Sequence, residues 1–245
     1  MFSVIRYLRT SIQVYFHVVE KNSGEEHATQ YIADCFFTFH HINTFEDNGN
    51  IIVDLCCTMD EGYYNFGYID GSWSSIPNES NNSVRRYVLP LNTATKPPGE
   101  NLVELNYTKA TAVLQADGCV KCTHEMLSPI GFDFPRINYS ACNGKKYQFV
   151  YGVAGLEKLL KLDVRKKTVK QWMENSCFPS EPVFVPHPSA KNEDDGVILS
   201  AVIHSDPEQN PFLLILDSKT MNEIGRAEFE EVKFHKDLHG IFHIC

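Results

Sequence analysis

The chain has 245 residues, 43% hydrophobic and 22% charged, with a formal charge of −9. This composition suits a globular protein with a sizeable core, and its acidity removes the electrostatic footprint of nucleic-acid binding, so no nucleic acid is expected as a partner. No apolar run approaches the roughly 18 residues of a membrane span, which leaves only peripheral membrane contact open.

The first residues, MFSVIRYLRT, carry Arg6 and Arg9 with no acid before Glu20, a faint likeness to a mitochondrial presequence, while IQVYFHVVEK (12–21) alternates as a strand would. Strand patterns then recur with turn residues between them. NIIVDLCCT (50–58) is one; KATAVLQ (109–115) turns through Ala116-Asp117-Gly118 into CVKCTHE. KKYQFVYGV (145–153) and LLKLDV (159–164) follow, the latter turning at Lys166 into TVKQWM. Consecutive hairpins of this kind predict an all-β fold with antiparallel sheets. EPVFVP (181–186), GVILSAVIH (196–204), FLLILD (212–217) and EIGRAEFE (223–230) form the clearest unit, with the strand count and length of one β-propeller blade. A β-sandwich would also give short strands and close turns. Residues 69–86, rich in Ser and Asn, and 92–101, with Pro97-Pro98-Gly99, read as loops.

The eight cysteines are irregularly spaced. Cys119 and Cys122 form a single CxxC without the second pair a zinc ribbon needs, so they read as strand cysteines in a reducing compartment, cytoplasmic by default and mitochondrial as the alternative. Asn78, Asn81, Asn106 and Asn138 then match the glycosylation sequon by chance. There is no Walker loop, no GxGxxG and no GxSxG, and HEMLS fails as a zincin because Ser128 stands where the second histidine belongs. Histidine remains. His40 and His41 are adjacent in FTFHHINTFED, and strand neighbours point to opposite faces, so only one of them can serve a given site. His239 lies in DLHGIFH, where Gly240 permits a tight backbone.

Five separated stretches, FHHINTFEDNGNIIVDLCC, FDFPRINY, PSEPVFVPHPSAKNEDDGVILS, FLLILDSKTMNEIGRAEFE and LHGIF, resemble in this order the animal carotenoid cleavage oxygenase family. That family includes the β-carotene 15,15' and 9',10' oxygenases and a retinoid isomerohydrolase. The likeness runs from about Tyr15 onward; YTKATAVLQADG with HEML is most similar to the 9',10' branch, DLHGIF to the 15,15' branch. The resemblance implies a seven-bladed propeller of antiparallel four-stranded blades, with non-haem Fe(II) held by four histidines and three carboxylates orienting them. Carried over by position, His40 and His239 match two metal ligands, and Glu181 matches an orienting glutamate. Asp133 stands where the family usually has another glutamate, and its shorter side chain should fall about 1.5 Å short unless the backbone or a water closes the gap, so it is expected to reach its histidine only loosely. Glu181 is expected to accept from a ligand histidine, His239 or one of the missing partners, and the two histidines to converge.

Family members are about twice this length and the likeness covers their C-terminal half. Residues 1–245 are therefore expected to be one partial propeller domain, a truncated form whose other blades, two histidine ligands and third carboxylate lie upstream. The implied activity is a dioxygenase that splits a carotenoid or apocarotenoid with O2 into aldehydes or ketones. A retinoid isomerohydrolase-like enzyme and an inactive binding fragment are the alternatives.

Overall fold

The structure, a computed structural model, describes residues 13–58, 82–94, 96–206, 208–230, 232 and 239–243. In chain order its strands are β1 (Gln13–Phe16), β2 (Tyr31–Asp34), β3 (His41–Asp47), β4 (Asn50–Thr58), β5 (Asn82–Pro90), β6 (Thr111–Leu114), β7 (Val120–Thr123), β8 (Glu125–Met126) and β9 (Asp133–Arg136). After a single helical turn, α1 (Tyr139–Cys142), come β10 (Phe149–Ala154), β11 (Lys158–Asp163), β12 (Thr168–Met173), β13 (Cys177–Pro179), β14 (Val183–Pro186), β15 (Gly196–His204), β16 (Phe212–Asp217) and β17 (Glu223–Glu228).

These strands form four separate sheets, in the orders β1-β2-β7-β6, β3-β4-β5-β8, β9-β10-β11-β12 and β13-β15-β16-β17, with β14 also paired to β15. They are blades of a β-propeller, and a two-sheet sandwich is excluded by their number and separation. Packing explains why the middle strands read as almost continuous apolar runs. Along β4, Val53, Leu55 and Cys57 pack with Tyr31 and Val120 of the first blade, while Ile52 and Cys56 pack with Val150 and Leu160 of the third. In β10, Val150 and Ala154 turn towards the second blade, Tyr151 and Val153 towards Ile198 and Leu214 of the fourth. Successive side chains of a strand point to opposite faces, so a sheet between two neighbours needs apolar residues in both rows.

The predicted hairpins are present: β6 turns into β7 with Gly118 at φ 89°, and β10, β11 and β12 pair in sequence. Three expectations need correction. The sheets are not antiparallel throughout, because β2 pairs with β7 in parallel. The first blade joins two hairpins distant in the chain, so no tight turn fixes the relative direction of their meeting strands. Residues 82–86 are not loop; they open β5, where Ser83 and Asn82 pair with Cys57 and Thr58. Ladder pairing with the long β4 outweighs their loop-like composition, and residues 69–81 lie outside the described part. Finally, the last blade's edge strand is split into β13 and β14, which pair with different halves of β15.

A buried polar knot ties the second and third blades. Asp54 of β4 is fully buried and accepts from Arg86 Nε (2.8 Å), Arg86 Nη2 (2.7 Å) and the Tyr147 hydroxyl (2.7 Å). A bidentate pair with a third donor is the arrangement in which a buried ion pair is satisfied, whereas removal of one partner strands the other. Arg86→Met is expected to lower unfolding free energy by about 3–5 kcal/mol, and Tyr147→Phe by about 1–3 kcal/mol, read by urea denaturation. A loss well below about 1 kcal/mol for Arg86→Met would contradict the role given to this knot.

Candidate functional site

Edge strands of three consecutive blades converge, and each is irregular where it does so. Between His41 and Asn43 the β3–β4 register shifts, two residues of β3 advancing against one of β4. His40 lies just before this bulge, its carbonyl accepting from Cys56 N (3.0 Å). In β9 the register shifts again: Asp133 opposes Val153 and Arg136 opposes Tyr151, so three steps on β9 match two on β10. The extra residue is absorbed at Phe134, a non-glycine residue at φ 54°, a costly left-handed conformation immediately before Pro135. Because their partners are two apart, Asp133 and Arg136 take like positions along the strand despite odd spacing. In the fourth blade, Glu181 falls in the gap between β13 and β14. Gly152 makes the third-blade approach feasible. A Cβ there would stand 2.3 Å from Phe132 Cδ2 and 2.9 Å from the Asp133 carbonyl oxygen.

These irregular points bring the four sequence-predicted residues together. His40 Nδ1 lies 2.7 Å from Asp133 Oδ1, and His239 Nδ1 lies 3.2 Å from Glu181 Oε1. A carboxylate at these contacts accepts, so each ring carries its proton on Nδ1. The His40 and His239 ring centroids are 5.2 Å apart at an interplanar angle of 75°. His41, the neighbour of His40, is exposed at the start of β3. The carboxylates are buried, Asp133 with 9% and Glu181 with 5% of the side chain exposed; the His239 ring is 61% exposed. The Asp133 hydrogen bond holds the His40 pKa above the usual histidine value, against the opposing effect of burial.

The expectation that Asp133 reaches its histidine only loosely is wrong. Its contact is the shorter of the two, and Asp133 Oδ1 also accepts from Phe134 N at 2.9 Å. At a bulged strand the backbone itself can stand closer, which makes up for the missing methylene. Two residues escaped the sequence reading. Phe134 lies beside both rings, 5.1 Å from His40 and 6.1 Å from His239 by centroid. Arg136 Nη2 donates to Glu181 Oε2 at 2.8 Å. Both sit in the quoted FDFPR, and the clue available was a lone basic residue three positions after a candidate site acid.

With Nδ1 engaged, each ring has Nε2 left as a lone-pair donor, the state in which imidazole binds a metal. His40 and His239 therefore fit a divalent cation as two nitrogen donors. Among the described residues no group of three or more His, Cys, Asp and Glu side chains could hold one, so the fit is that of a partial cage.

Comparison with known proteins agrees with this architecture. The family described as retinal pigment epithelial membrane protein matches residues 3–243. The mitochondrial carotenoid-cleaving dioxygenases of Mustela putorius furo and Homo sapiens are 45% and 43% identical over 93% of the chain, which spans 45% and 42% of their lengths. The human beta,beta-carotene 15,15'-dioxygenase is 37% identical over 94% of the chain, which covers 43% of that relative. A crystal structure of an ACO/RPE65 chimera matches with a TM-score of 0.69 at 23% identity, over 95% of this chain and 44% of that one. A variant of Synechocystis apocarotenoid oxygenase matches with a TM-score of 0.67 at 21% identity, over 95% and 44%. The chain thus spans less than half the length of the curated relatives it matches, and it shares the fold of the solved structures.

Asp133→Ala removes the acceptor that fixes the His40 tautomer. In nitrogen-15 NMR of the imidazole rings, His40 is expected to pass from a single Nδ1–H form to a mixture, while His239 keeps its signature. An unchanged His40 spectrum would show that Asp133 does not orient it.

Proposed function

The chain belongs to the carotenoid cleavage oxygenase family, and on that premise we propose that His40 and His239 supply two of the ligands of a non-haem Fe(II) ion in an enzyme that splits a carotenoid or apocarotenoid double bond with O2. The observation that carries this reading is the pair of adjacent imidazoles, 5.2 Å apart, each with Nδ1 on a buried carboxylate. Bound iron would supply the site where dioxygen is activated. The protein's part is orientation. Asp133 and Glu181 keep the Nδ1 protons in place and turn Nε2 towards the shared centre. Neutral imidazole ligands leave the metal its charge and suit a site with open positions.

The surroundings suit an apolar substrate. Phe37 and Phe39 stack edge to face at 4.6 Å beside His40, and Phe134 bridges the two rings. Phe39 is half exposed, and an aromatic face of this kind suits contact with a polyene. The likeness of YTKATAVLQADG with HEML to the 9',10' branch supports cleavage at that bond, and identity is higher to the carotenoid-cleaving dioxygenases than to the 15,15' enzyme. The former are mitochondrial by name, which supports a mitochondrial destination for this chain over the cytoplasmic one. No helix among the described residues is long and apolar enough to cross a membrane, and peripheral contact suits a lipophilic substrate.

The test is anaerobic loading of the chain with Fe(II), metal analysis, then incubation with β-carotene in air and chromatography of the products. Two ligands give a weak site, so iron is expected below one equivalent, lost further on His40→Ala or His239→Ala, with no apocarotenoid formed. Glu181→Ala should weaken iron binding by about 10–100-fold. Iron retention equal to wild type after both histidine substitutions would overturn the ligand assignment.

A further inference from the structure

Glu181 meets three donors where orientation of one histidine needs a single contact. Besides His239 Nδ1 on Oε1, Arg136 Nη2 and the Gly240 backbone N–H reach Oε2 at 2.8 and 2.9 Å. The same Arg136 nitrogen also lies 2.8 Å from the Gly240 carbonyl oxygen, so it donates one hydrogen to the carboxylate and one to the backbone beside His239.

We propose that Arg136 is a positioning residue of the site: it clamps the His239–Gly240 backbone to Glu181 and so holds the His239 ring against His40. The role given to His239 rests on the metal-ligand reading above. The chemistry explains why arginine stands there. Its planar guanidinium directs two N–H bonds from one nitrogen at a fixed angle and stays charged, so it can grip a carboxylate and a carbonyl together, whereas lysine offers a rotating point charge on a flexible stem. The β9 bulge at Phe134 places Arg136 to do so from the third blade, on a strand whose other end carries Asp133. The need is asymmetric. The His40 ring is 23% exposed and directly precedes a strand, whereas the His239 ring is 61% exposed, so packing contributes less to its position. Gly240 fits the same picture, since a Cβ there would meet Val183 Cγ2 at 3.3 Å as the segment passes over β14.

The clamp is tested on the metal-free full chain by backbone amide exchange and imidazole nitrogen-15 spectra of wild type, Arg136→Gln and Arg136→Lys. In Arg136→Gln the Gly240 amide is expected to exchange about 10-fold faster and His239 to become a tautomer mixture, while His40 keeps its Nδ1–H form. Arg136→Lys, which keeps the charge, should recover part of both effects. It also serves as the readout if the glutamine variant does not fold, with Gly240 exchange then faster than in wild type. Unchanged Gly240 exchange and an unchanged His239 spectrum would overturn the clamp, as would equal disturbance of His40, which marks general loosening. Failure of the metal reading shows elsewhere: cobalt(II) binding by wild type that His239→Ala does not weaken, with the clamp signatures intact.

Discussion

A buried carboxylate must be met by donors, and Asp133 and Glu181 obtain theirs from parts of the chain far away in sequence. His40 reaches Asp133 from the second blade; His239, from beyond the last strand, reaches Glu181 together with Arg136 of the third. Each contact therefore joins two elements that no hairpin connects. The same logic operates deeper in the interface, where Asp54 is shared by Arg86 and Tyr147. Apolar packing sets the blades face to face, but it is non-directional; the polar contacts near the converging edges determine which side chains meet there.

Those edges are irregular. Two register shifts and one broken strand occur where His40, Asp133 and Glu181 are found. A regular strand would send Asp133 and Arg136 to opposite faces, and neither a shared carboxylate network nor adjacent rings could be built from it. The ladder is weakened locally, and Phe134 bears a strained backbone as part of that arrangement. Gly152 is the matching concession on the neighbouring strand, since no side chain fits between β10 and Phe132.

Sequence legibility divides along the same line. Turn chemistry marked the β6–β7 and β11–β12 hairpins, and the four-strand rhythm after Glu181 marked the last blade. The five ordered motifs pointed to the four residues that converge. Interactions without a local signature were missed. The parallel β2–β7 pair depends on two hairpins meeting, and the start of β5 on a partner strand that overrides Ser and Asn. Asp133 was misjudged because nothing in the sequence marked the β9 bulge, so a backbone that closes the gap stayed an open alternative. Arg136 was overlooked because its importance comes from two acceptors supplied by residues 45 and 104 positions away.

Paramagnetic NMR with cobalt(II) tests most directly whether His40 and His239 share one ion. As the metal is added to chain labelled at histidine, a common ion requires the His40 and His239 ring signals to broaden together and in proportion, at concentrations that leave His17, His27, His124, His187 and His204 unaffected. Broadening of only one of the pair, or earlier broadening of another histidine, would contradict a shared metal centre.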